Sequence, residues 1–162
     1  MSTPAKKRLL KDLAEVEKSD TKIFVHPIFN NIMHWVSLIN GPDKTDYSNG
    51  IFTLLLTFDE SYPFTPPNIT FISEMFHPNI YPDGKICLDV LGIRWSPAFS
   101  VLSILLSIQS LLSEPNLNSP ANQDAAQMIS ENPDKYREKI KEMILSGLKD
   151  IKKHYFSEKK ML

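Results

Sequence analysis

Cysteine is almost missing from this chain of 162 residues: there is one, Cys87. A lone thiol excludes a disulfide framework and a cysteine-built zinc cluster, and it fits a reducing compartment. Glycine is scarce too. Five residues, none grouped, leave no glycine-rich loop for a nucleotide phosphate. His and Cys nowhere take metal-site spacing, and no acidic cluster has magnesium spacing. Excess charge is absent, with a net −1, so nothing global draws the chain to nucleic acid or to an anionic membrane. Long apolar runs are absent as well. The richest, 101–112, is broken by Ser103, Ser107 and Ser110 and is too short for a bilayer. The opening Ser2-Thr3-Pro4-Ala5-Lys6-Lys7-Arg8 turns charged where a signal peptide would turn apolar, so the expected location is cytoplasmic or nuclear.

What remains is the composition of an ordinary globular protein, 42% hydrophobic and 23% charged, long enough for one domain with its own core. Thr3-Pro4 reads as a helix start, a capping hydroxyl followed by proline. Leu9, Leu10, Leu13 and Val16 are expected on its inner stripe, with Lys7, Arg8, Lys11 and Glu15 outside. Strands are expected over 22–26, 32–39, 51–58 and 68–72, and the short connections between them predict an antiparallel meander. Pro63, Pro66 and Pro67 fix a rigid loop. From 73 to 100 turn chemistry replaces periodicity, yet Phe76, Ile80, Tyr81 and Trp95 argue for order there, so the functional site is expected in this stretch. Three helices follow. One is capped by Ser100 and apolar on almost every face, one begins at Ser119-Pro120, and the last begins at Asn132-Pro133 with Tyr136, Ile140, Met143, Ile144, Leu148, Ile151 and Tyr155 at helical spacing. The class is α+β.

Cys87 lies in the run His77-Pro78-Asn79-Ile80-Tyr81-Pro82-Asp83-Gly84-Lys85-Ile86-Cys87-Leu88-Asp89. A Pro-Asp-Gly turn lifts a short extended segment, so Ile86 and Leu88 should bury while the thiol faces outward. The His-Pro-Asn turn brings a carboxamide within folding-back distance. A Cys-His hydrolase is the obvious competitor. Against it, Pro78 ties His77 into a turn where its ring serves better as a strut than as a proton shuttle.

This run resembles the ubiquitin-conjugating enzymes, whose signature joins a His-Pro-Asn turn, a thioester cysteine and a Trp-Ser-Pro element, here Trp95-Ser96-Pro97. Tyr62-Pro63-Phe64-Thr65-Pro66-Pro67 ahead of it and Glu114-Pro115-Asn116 behind it keep the family's order, so the likeness covers residues 3–151. The resemblance implies the family's fold: an N-terminal helix, a four-stranded antiparallel meander sheet, then three helices. Residues 1–155 would be the catalytic core and 156–162 a short basic tail. It implies that Cys87 takes ubiquitin as a thioester from an ATP-using activating enzyme and yields it to a substrate lysine with a ligase of RING or HECT type. No cofactor, metal, nucleic acid or membrane is expected to take part.

Site roles follow from the same resemblance. Asn79 is the candidate oxyanion donor, with bracing of the neighbouring loop as its alternative role. Asp89 and the loop Asn116-Leu117-Asn118-Ser119 stand where the family keeps its gate residues. His77, Pro78 and Asn116 would be structural. Ser119 replaces a frequent aspartate, so a general-base carboxylate is missing there; it is a Ser-Pro site for a phosphate or else a helix cap. Phe64, Pro97, Ala98 and Arg8 are candidate ligase contacts, and Lys6, Lys7 and Lys11 candidate contacts for the activating enzyme. Phe64 with Ala98 looks like the broad ligase-competent types, whereas segments 2–5, 107–112 and 119–122 look like the DNA-repair and chromatin-modifying subtype, though Leu117 stands where proline is usual. Two alternatives stay open: another ubiquitin-like modifier, and a non-catalytic binding module of the same fold.

Overall fold

In the computed structural model, which describes residues 2–159, helix α1 spans Pro4–Lys18. Thr3 caps it, its Oγ1 accepting from the Lys6 amide at 3.3 Å, with Pro4 in the first turn. Its buried row is Ala5, Leu9, Asp12 and Val16, which differs from the expected stripe. Leu10 is 55% exposed, and an aspartate occupies the inner face instead. Asp12 can be buried because Arg8 Nε donates to it at 3.0 Å and the Tyr62 hydroxyl donates to its other oxygen. A hydrophobicity pattern cannot register such a pairing.

Four strands follow: β1 Ile23–Ile28, β2 Asn31–Asn40, β3 Ile51–Thr57 and β4 Asn68–Phe71. They pair in chain order, all antiparallel, as the expected meander. Strand β1 extends beyond its expected end at 26. Pro27 is tolerated because β1 is an edge strand, and a register shift falls between Pro27 and Ile28. Phe29 and Asn30, at φ 57° and 50°, turn the chain into β2. On the inner face Trp35 lies opposite Leu56, and Ile39 opposite Phe52, all buried.

Helices α1 and α2, the latter Val101–Ser113, pack on that face and on each other. A reciprocal pair between Ser100 and Ser103 caps α2. Its burial is less complete than expected, since Leu106 is 39% exposed. Helix α3 is Gln123–Glu131, capped by Asn122, and α4 is Pro133–Lys159. The expected start of α3 at Ser119-Pro120 is overturned for a tertiary reason. The amides of Ala121 and Asn122 both donate to the Pro78 carbonyl, at 2.7 and 3.0 Å, which holds that stretch out of helical geometry. Tyr136, Ile140 and Ile144 bury the inner face of α4, while Met143 and Leu148 pack beside them. The side chains of Ile151 and Tyr155, and residues 160–162 of the expected tail, lie outside what is described.

The irregular stretch after β4 is fastened to the sheet. Phe71 donates its amide to the Gly84 carbonyl at 2.9 Å, and Thr70 bridges to Lys85. Gly84 is required there: its φ is +89°, and a Cβ would stand 2.1 Å from the Phe71 carbonyl oxygen. Among the described residues no helix is long and apolar enough to cross a membrane.

Candidate active site

The site is built on the turn His77-Pro78-Asn79. His77 is wholly buried. Its Nδ1 accepts from the Asn79 amide at 3.0 Å, so its Nε2 carries the proton and donates to the Leu111 carbonyl at 2.9 Å. Both ring nitrogens are therefore engaged in holding the turn against the end of α2. Burial pulls the imidazole from 6.5 to about 4, so the ring stays neutral at physiological pH and cannot serve as a proton shuttle. Because the folded state disfavours the protonated ring, this stabilisation is present above pH 6.5 and is lost as pH falls toward 4. A depression of this size corresponds to about 3 kcal/mol. In urea titrations His77→Gln should therefore cancel most of the stability change between pH 7 and pH 4.5, while lowering stability at pH 7.

Asn79 is 2% exposed. Its Oδ1 accepts from the Asn116 amide at 2.8 Å and its Nδ2 donates to the Asn116 carbonyl at 2.7 Å. The carboxamide thus grips the backbone of the loop after α2 with both ends. A carboxamide nitrogen carries two hydrogens, and Asn116 takes one of them. The turn's carbonyls are engaged as well. Pro78 holds residues 121 and 122, and the Asn79 carbonyl accepts from the Cys87 amide at 2.9 Å.

That last bond places the thiol. Tyr81 donates to the Lys85 carbonyl and Gly84 to the Tyr81 carbonyl, each at 2.9 Å, which closes a tight reversal. Ile80 bridges to Ile86 across it. Ile86 and Leu88 pack against the core while Cys87 between them is exposed. The thiol opens into a cavity of about 580 Å³ that Asn79, Tyr81, Asp89, Ile93 and Ser119 also line. A smaller cavity of about 340 Å³, between β3 and α4, contains neither thiol nor imidazole.

After Cys87 the chain makes one 3₁₀ turn, Asp89–Leu91. Asp89 Oδ2 lies 3.3 Å from Arg94 Nη1, both largely exposed. This pairing was not legible in the sequence, because a five-residue separation across an irregular turn has no periodic signature. Ser119 is exposed on the cavity wall. It caps no helix, since Asn122 Oδ1 accepts from the Ala125 amide and begins α3. Asn116 contributes its backbone to the Asn79 clasp, and its side chain accepts from the Asn118 amide at 3.0 Å. Among the described residues no group of three or more His, Cys, Asp or Glu could hold a metal ion.

A second surface adjoins the site. Phe64 is 78% exposed, beside the cis Tyr62-Pro63 bond. Trp95 Nε1 donates to the Pro63 carbonyl at 3.0 Å, which ties this loop to the one bearing Pro97 and Ala98. Arg8 fastens the second loop to α1. Its Nη1 donates to the Pro97 carbonyl at 2.8 Å and its Nη2 to the Phe99 carbonyl at 2.7 Å, while Nε holds Asp12 and the guanidinium lies over the Tyr62 ring. Arg8 thus ties the second loop to α1 while its side chain keeps 23% of its surface exposed. The i, i+4 spacing of Arg8 and Asp12 was the one available hint. Lys7 and Lys11 are exposed on α1 and Lys6 is half-buried.

The family model described as "Ubiquitin-conjugating enzyme" matches residues 8–144. The chain is 46% identical over 145 residues to Ubiquitin-conjugating enzyme E2 2 of Debaryomyces hansenii, covering 89% of this chain and 86% of that one. It is 51% identical over 145 residues to Ubiquitin-conjugating enzyme E2 3 of Arabidopsis thaliana, covering 89% and 97% respectively. With the fold, the turn and the outward thiol in place, the chain belongs to the ubiquitin-conjugating enzyme family.

Proposed function

We propose that Cys87 is the acyl carrier of this enzyme. Its thiolate attacks the thioester carbonyl joining ubiquitin's C-terminus to the activating enzyme. A new C–S bond forms at Cys87 and the activating enzyme's thiol leaves. A substrate lysine, as free amine, then attacks the same carbonyl. A C–N bond forms, the C–S bond breaks, and the Cys87 thiolate departs while the amine's proton is lost to solvent or to a nearby acceptor. The observation that carries this reading is the exposed thiol whose own amide is held by the Asn79 carbonyl, with Asn79 among the residues lining the same cavity.

In the second step, the Nδ2 hydrogen that Asn116 does not take stabilises the negative oxygen of the tetrahedral intermediate. Asp89, its charge partly balanced by Arg94, orients the incoming ammonium and accepts its proton. Ser119 supplies no carboxylate, so Asp89 carries that part alone unless Ser119 is phosphorylated. Incubation with activating enzyme, ATP and ubiquitin should give an adduct that reductant removes. Parallel loading with other ubiquitin-like modifiers decides between ubiquitin and its relatives, because the thiol chemistry is common to all.

The ligase, of RING or HECT type, docks on Phe64, Pro97, Ala98 and the exposed part of Arg8, and the activating enzyme meets Lys6, Lys7 and Lys11. Phe64→Ala should leave loading and stability unchanged, since the ring is largely exposed. Ligase-stimulated discharge should fall about tenfold or more; an unchanged stimulated rate would remove Phe64 from the interface. Residues 1–155 act as the catalytic unit in cytoplasm or nucleus. Segments 2–5, 107–112 and 119–122 support the DNA-repair and chromatin-modifying subtype.

A further inference from the structure

Single exposed aliphatic side chains are common on protein surfaces and call for no explanation. Ile93 differs in where it is and in how it is held. It is 96% exposed, and it lines the cavity into which Cys87 opens. The turn that carries it is closed by bonds from the Gly92 and Arg94 amides to the Asp89 carbonyl, each at 2.9 Å, and from the Trp95 amide to the Gly92 carbonyl at 3.0 Å. Trp95 is itself anchored to the Pro63 carbonyl and meets Phe99 edge to face. The isoleucine is therefore presented on a fixed support, so covering it on binding orders little new chain.

Charge on this rim is largely balanced. Asp89 is paired with Arg94, and Asp83 with Lys85 at 3.3 Å on the neighbouring turn. An acceptor arriving from solvent meets an apolar side chain beside a neutralised ion pair, a surface that favours neither strongly acidic nor strongly basic neighbours. We propose that Ile93 is a specificity-determining residue for the acceptor, favouring lysines with an apolar residue next to them. The inference rests on Cys87 being the acyl carrier and on Asp89 facing the amine, because Ile93 is joined to Asp89 through the turn. The occupant is the acceptor, since a side chain this exposed, next to the pair that receives the amine, is reached from the solvent side.

The test is single-turnover discharge of preformed Cys87–ubiquitin thioester. The acceptors are free lysine and two short peptides with one lysine each, preceded by leucine or by serine. The native enzyme should use the leucine peptide about fivefold to tenfold better, the range expected when one aliphatic contact is gained. Ile93→Asn should bring the leucine-to-serine rate ratio close to one, while Ile93→Leu should keep the native ratio. Equal use of both peptides by the native enzyme would overturn the proposal. So would an Ile93→Asn rate that falls equally for both peptides and for free lysine, because that marks a donor-side or structural role. Failure to form any adduct at Cys87 would instead overturn the acyl-carrier reading beneath it.

Discussion

Replacing Cys87 by alanine should abolish the ubiquitin adduct entirely, and replacing it by serine should convert a reductant-sensitive adduct into a resistant one. Both outcomes follow from the chemistry of the atom. Alanine has no nucleophile. A serine hydroxyl can accept the acyl group as an oxygen ester that thiols do not exchange, and that ester is less reactive toward amines, so it should accumulate. Neither change should disturb the fold. The side chain is exposed, its backbone amide keeps its bond to the Asn79 carbonyl, and Ile86 and Leu88 keep the strand seated. Unchanged urea midpoints with total loss of the reductant-sensitive band would establish the role. A sensitive band surviving in Cys87→Ala would end it, because the chain has no other thiol.

Asn79→Ala should load ubiquitin at the native rate and discharge it to lysine about 10²–10³-fold more slowly, the effect of losing one oxyanion donor. Some stability should go with it. Two hydrogen bonds to the Asn116 backbone vanish, and leaving those groups without partners costs about 1–3 kcal/mol each if water does not replace them. The two roles separate with His77→Gln, which loosens the same turn but keeps the Asn79 carboxamide. If stabilisation of the oxyanion dominates, that variant should discharge far faster than Asn79→Ala although it too is less stable. If bracing dominates, both should slow in proportion to the stability they lose. Single-turnover discharge measured beside urea midpoints distinguishes these orders.

Much of this architecture is legible in the sequence. Alternation fixes β3, with Phe52, Leu54 and Leu56 inward, and proline with a capping hydroxyl starts α1. The segment around Cys87 was legible for the same reason: flanking aliphatics and a Pro-Asp-Gly turn are local signals. What escaped was set by distant partners. Nothing near Asp12 announces that Tyr62, fifty residues on, makes its burial tolerable. Nothing near Ser119-Pro120 announces that the Pro78 carbonyl captures the two amides that would otherwise begin a helix. Arg8 and Arg94 look like surface cations until the chain folds, and then one fastens the loop of Pro97 and Phe99 to α1 and the other pairs with the carboxylate of Asp89.

The bond from Phe71 to Gly84 and the bridge from Thr70 to Lys85 have a meaning beyond geometry. Strand β4 ends the sheet, and a bare outer strand invites a stranger's backbone to add itself, the first step toward clumping. Here the turn that leads into Cys87 occupies part of that exposed border. The segment proposed to carry the acyl group is thus also a guard against polymerisation.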